Sequence, residues 1–189
     1  MSRYPDPREI PYRSTYHAIG AAYASEVAVA FGGSHLAAAC GGRPEYVAGD
    51  WYRRLTQLEA VAQGAVALSL LHRALSPDAV TALDAFHTIP ESRTLWDRKK
   101  AACEALRDRL AATVAVDRDY ALAVVLEWCG EPQEHPKLWA ARIGVTVRTL
   151  RTWANGRGRR PGMVPLLNRW LFQAYDEADE ALKAAGLVG

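Results

Sequence analysis

A chain of 189 residues, half of them apolar, is long enough to bury a substantial core as one large domain or two small ones. It contains no uncharged apolar run of roughly 18 residues, which excludes a transmembrane helix. The start MSRYPDPREIPYR lacks the apolar stretch of a signal peptide, so a cytoplasmic protein with no membrane partner is expected. The net charge of +2 hides a polarised molecule. The 41 residues from His135 to Tyr175 hold eight basic residues and no Asp or Glu, leaving 15 basic against 21 acidic elsewhere.

Helical periodicity runs through the chain and no strand pattern appears, so the expected fold class is all-α. Pro5, Pro7 and Pro11 make residues 1–14 an extended or disordered lead. Thr15 to Phe31 reads as an alanine-rich helix broken by Gly32-Gly33, and Ser34 to Cys40 as a short second helix. From Pro44 to Leu75, residues Trp51, Leu55, Leu58, Ala62, Ala65 and Leu68 or Ser69 step by four and three, the seam of a long amphipathic helix. Ser76-Pro77-Asp78 restarts a helix that runs to about His87, with an N-cap, a first-turn proline and an acid at the positive helix end. Trp96, Cys103, Leu106, Leu110 and Val114 predict the stripe of another long helix. Asp117 to Cys129 reads as a buried helix stopped by Gly130. A last long helix, Val164 to about Ala184, carries Leu167, Trp170, Leu171, Ala174 and Ala178. Gly130, Pro132 and Pro136 suggest a boundary between a helical body over 15–132 and a separate C-terminal part over 133–189.

Within that C-terminal part, PKLWAARIGVTVRTLRTWAN (Pro136–Asn155) has the spacing of two short helices joined by a tight turn. Ala140 is the small residue where the backbones approach, and Gly144 supplies the positive φ of the turn. Trp139, Ile143, Val145, Leu150 and Trp153 form a small core, and Thr146 caps a second helix running from about Val147 to Asn155. Leu150 and Trp153 point inward on that helix, which turns Val147, Arg148, Arg151, Thr152 and Asn155 outward. Asn155 is also placed to end the helix before Gly156. Beyond it, NGRGRRPG interleaves Arg157, Arg159 and Arg160 with glycines, a flexible basic arm.

This stretch resembles the helix-turn-helix of phage and bacterial transcription regulators. The resemblance implies double-stranded DNA as partner and a recognition helix over Val147–Asn155. Arg148 and Arg151 would contact base edges, at about 1–3 kcal/mol of discrimination each. Lys137, Thr146, Val147, Thr152 and Asn155 would lie at the same interface. Arg157, Arg159 and Arg160 would follow phosphates or enter a minor groove. The apolar spacing of Leu75, Val80, Leu83, Ala85 and Phe86 is similar, over about 45 residues, to the middle of phage late-gene antitermination proteins. That likeness implies an alternative in which the chain binds DNA and engages RNA polymerase. The chain departs from those proteins in lacking a cysteine cluster for zinc. A DNA-packaging or replication adaptor is a third reading. A homodimer would set two recognition helices on two half-sites, with the 44–75 or 94–114 stripe as its seam.

Catalytic patterns are missing. His17, His35, His72, His87 and His135 are scattered along the sequence, and the phosphate-loop, zinc-protease and serine-elbow motifs are absent. Cys40, Cys103 and Cys129 lie far apart, as buried thiols of a reducing compartment do. The expectation is a non-enzyme with no metal and no cofactor.

Overall fold

The computed structural model describes residues 12–30, 57–131, 133–157 and 161–189. The fold is all-α, with eight helices among these residues: α1 (Thr15–Ala30), α2 (Gln57–Ala74), α3 (Pro77–His87), α4 (Arg93–Val114), α5 (Arg118–Trp128), α6 (Pro136–Ile143), α7 (Val147–Asn155) and α8 (Met163–Ala184). The helix predicted over 34–40, and the Trp51 and Leu55 part of the 44–75 seam, lie outside the described residues. No helix among the described residues is long and apolar enough to cross a membrane.

Local chemistry sets most of the helix starts. Ser76 accepts from the Ala79 N–H ahead of Pro77, Ser92 from Leu95, and Asp117 from Tyr120, each satisfying a donor that the first turn leaves open. Ser76 also ties its helix to α8, because its own N–H and hydroxyl donate to the two carboxylate oxygens of Glu177 at 3.0 and 3.1 Å.

Two apolar clusters form the core. In the first, Ala18, Ile19, Ala22 and Tyr23 of α1 meet Ala60, Ala67, Leu68 and Leu71 of α2, with Ala82 and Leu83 of α3 and Leu171, Ala174, Ala178 and Leu182 of α8. The α1–α2 approach is close because of Gly64, where a Cβ would sit 2.6 Å from the Ala21 carbonyl oxygen. The buried face of α2 is therefore Ala60, Gly64, Ala67, Leu68 and Leu71. Ala62, Ala65 and Ser69 of the predicted seam are exposed. In so alanine-rich a helix the packing partner, more than a hydrophobic stripe, chooses the face.

The second cluster joins Cys103, Leu106 and Leu110 of α4 to Tyr120, Ala121, Val124 and Val125 of α5. Ala140 of α6, Leu150 of α7 and Met163, Leu167 and Trp170 of α8 complete it. The α4 stripe is consumed inside the subunit, with one correction. Trp96 is exposed, and the long side chain of Lys99 is buried instead, its ammonium 3.6 Å from Glu131. Cys103 and Cys129 also meet across α4 and α5, thiol to thiol. That hydrogen bond lowers the pKa of Cys103 and raises that of Cys129.

Helix α8 contributes its first half to the second cluster and its second half to the first, so packing is continuous across residues 130–135, where a boundary was expected. Nor is the lead loose where it is described. Tyr12 is buried in the first cluster, and its N–H donates to the Leu187 carbonyl at 3.1 Å.

A polar network crosses the body. The Tyr23 hydroxyl donates to Asp84 at 2.8 Å, and the His72 Nε2 lies 3.3 Å from the same carboxylate oxygen. Arg98 pairs with both oxygens of Glu26, donates to the Thr88 hydroxyl and sets its Nε 3.6 Å from Asp84. Burial first, then the Asp84 charge, holds the Tyr23 phenol far above its ordinary pKa. Beside it the His87 ring stacks on Tyr23 and bonds the Tyr175 hydroxyl at 2.8 Å, and burial lowers its pKa to about 4.

Candidate nucleic-acid interface

Helix α6 starts at His135, whose Nδ1 accepts from the Lys137 N–H at 3.2 Å, and ends at Gly144. Gly144 has φ +73°, the left-handed conformation that a side chain resists, and the Val145 N–H returns to the Ala140 carbonyl at 3.0 Å. Two residues later the Thr146 hydroxyl accepts from the Thr149 N–H at 3.1 Å and opens α7. The turn expected at Gly144 and the helix expected over Val147–Asn155 are both present.

The second cluster anchors α7. Leu150 is fully buried, and the Tyr120 hydroxyl donates to the Leu150 carbonyl at 3.2 Å. The Tyr120 ring lies 6.0 Å from Trp139 and 6.1 Å from Trp153, so one tyrosine of α5 braces both short helices. Arg142 lies over the Trp139 ring at 4.6 Å and is held by both oxygens of Glu134.

On the outer side of α7, Arg148, Arg151 and Asn155 are exposed, as are Lys137 and Arg157. Val147 corrects the expectation, since it is half-buried against the second cluster rather than turned outward. The Thr152 hydroxyl donates to the Arg148 carbonyl at 3.0 Å, so it can offer a partner its methyl group and its oxygen's lone pairs but no proton. Thr146 is committed to the cap, and its hydroxyl also meets that of Thr149. Gly156, with φ +80°, ends the helix after Asn155. Arg159 and Arg160 lie outside the described residues. The glycine-rich arm is not loose throughout. A Cβ on Gly162 would sit 2.2 Å from backbone atoms of Asn155 and Gly156, so the start of α8 is pressed onto the end of α7.

Charge pairing separates this surface from the rest of the molecule. From Arg93 to Arg118 every basic residue except Lys100 has a carboxylate within 4 Å. Among the described basic residues from Lys137 to Arg169, only Arg142 does. Arg148, Arg151 and Arg157 have no carboxylate within pairing distance among the described residues.

Sequence reasoning did not find two arrangements. One is the Tyr23–Glu26–His72–Asp84–Arg98 network, whose members come from four helices and share no spacing. The other is a groove beside α7, between Val114 and Trp153. No family model matches the chain, and neither a curated protein nor a solved structure matches it.

Proposed function

We propose that the chain is a sequence-specific DNA-binding transcription regulator in which α7 enters the major groove and Arg148 and Arg151 read base edges. The observation that carries this reading is the set of exposed arginines, without carboxylate partners among the described residues, on and just beyond one short, rigidly anchored helix. Their spacing, i and i+3, puts Arg148 and Arg151 on one side of α7, one turn apart. A guanidinium in that position can pair bidentately with guanine O6 and N7. Lys137, Arg157, Arg159 and Arg160 supply phosphate contacts, whose release of counterions gives affinity without sequence preference. The Thr152 methyl suits a thymine methyl, and Asn155 stands at the end of the same face.

The test is selection of bound duplexes from a random-sequence library by the purified chain at two salt concentrations. A defined motif is expected, and its symmetry would report whether one copy or two bind. Salt-sensitive retention with no preferred sequence would overturn base reading by α7. No retention at either salt concentration would sink the DNA-binding reading altogether.

A further inference from the structure

A groove of about 640 Å³ opens between the C-terminal turn of α4 and helix α7. That volume lies within the range of about 300–1,000 Å³ usual for small-ligand sites. Thr113 and Val114 line it from α4, Arg148, Thr152 and Trp153 from α7, and Arg157 from beyond the helix end.

The groove is chemically divided. Arg148 and Arg157 bring two positive charges, and no carboxylate of the described residues lies within pairing distance of either. On the other wall the Thr113 hydroxyl donates to the Arg109 carbonyl at 2.7 Å, as that of Thr152 does to Arg148. Both oxygens are therefore left with lone pairs to accept hydrogen bonds. The C-terminal end of α4 carries partial negative charge and favours donors as well. Between these poles lie Val114 and the part of Trp153 that the second cluster does not cover.

A bare inorganic anion would satisfy the arginines alone, and an apolar ligand would leave them unpaired. The combination calls for an anionic group, a flat ring and outward N–H donors in one molecule. We infer that the groove seats a nucleotide unit, with its phosphate on Arg148 and Arg157 and its base against Trp153, N–H groups toward Thr113. Stacking on an indole tolerates any base, so the seat selects a nucleotide more than a sequence. A free nucleotide and a nucleotide unstacked from a bound DNA strand present the same chemistry.

Titrating adenosine 5′-monophosphate, adenosine and inorganic phosphate separately into the full chain, without DNA, tests the seat by calorimetry. The monophosphate is expected to bind at least about ten-fold more tightly than either fragment. Thr113 is exposed, so Thr113→Glu should fold normally, as a thermal melt will check, while its carboxylate competes for the arginines. It should weaken monophosphate binding about ten-fold or more, and Thr113→Val, which removes the acceptor without adding a charge, should weaken it less. Equal affinity for monophosphate and phosphate, or indifference to Thr113→Glu, overturns the proposal.

A second arm adds a labelled duplex and separates the two sources. Thr113→Val assigns the groove to a nucleotide of the bound strand if it weakens duplex and monophosphate binding alike, and to a free nucleotide if it weakens the monophosphate alone. Only this arm rests on the DNA-binding reading. A chain that bound the monophosphate but no duplex would end that reading and leave the groove assigned.

Discussion

Asp84 and Arg148 carry opposite charges and receive opposite treatment. Around Asp84 the body gathers Tyr23, His72 and Arg98, and Arg98 is itself held by Glu26 and Thr88. Arg148, on α7, faces solvent with Arg151 one turn on, and neither has a carboxylate within 4 Å among the described residues. A paired charge in a half-buried network holds helices together. Arg148 has no such role, since no carboxylate of the described residues meets it, and the helix that carries it is anchored by Leu150 instead. Net charge alone would miss the distinction, because +2 averages the two regions.

The largest effect should come from breaking the paired region. Asp84→Ala leaves the Tyr23 hydroxyl without its acceptor and the Arg98 guanidinium without one of its two carboxylates in a mostly buried setting, and should cost about 3 kcal/mol of unfolding free energy. Arg148→Ala should change stability by less than about 0.5 kcal/mol, as an exposed side chain without partners does. Urea titrations of the two variants measure both. Equal losses would erase the contrast.

The second test reverses the assay. Arg148→Ala and Arg151→Ala should each weaken binding to a selected duplex by about 1–3 kcal/mol and relax the preference at one position. Arg157→Ala should weaken selected and random duplexes alike and flatten the salt slope by about one unit. If all three variants lost the same affinity on every duplex, Arg148 and Arg151 would be phosphate contacts only.

How far the sequence disclosed this molecule depended on whether the cause was local. Ser76-Pro77, Asp117, Gly144 and Thr146 act within one turn of chain, so their helix boundaries were legible. The burial of Leu167, Trp170, Leu171, Ala174 and Ala178 followed from a strong 3.6-residue period. The face of α2 did not, because Ala62 and Ala65 look as apolar as Ala60 and Ala67, and Gly64 decides between them by letting α1 approach. The bridging of the two clusters by α8 was equally hidden, since that helix returns from the far end of the chain. Of the interface, the arginines and the turn could be read directly. The commitment of Thr152 to its own helix, the inward Val147 and the groove against α4 required three-dimensional neighbours.

Acid offers a smaller and more gradual test of the paired region. The His87 pKa is lowered to about 4 by burial, against about 6.5 in an unfolded chain. Between these values the unfolded state binds the extra proton. The contribution of neutral His87 is therefore fully present above about pH 6.5 and is lost as pH falls toward 4. The slope is at most about 1.4 kcal/mol per pH unit. Unfolding free energies measured at pH 7, 6 and 5 should fall in that order, and His87→Gln should flatten the dependence. An unchanged slope in that variant would move the acid sensitivity to another group.

The smallest change falls where the two regions meet. Tyr120→Phe removes only the hydroxyl that donates from α5 to the Leu150 carbonyl, leaving the ring between Trp139 and Trp153. That carbonyl also belongs to the backbone ladder of α7, so it is not stranded, and the expected loss of stability is about 0.5–1 kcal/mol. What the bond restricts is the setting of α7 on the body, and thus the alignment of Arg148 and Arg151 with a duplex. Discrimination between selected and random duplexes should fall by more than affinity for random duplex, whose phosphate contacts tolerate a small rotation. If both affinities fell equally, the apolar contacts of Leu150 alone would suffice to orient α7, and the tyrosine hydroxyl would serve stability only.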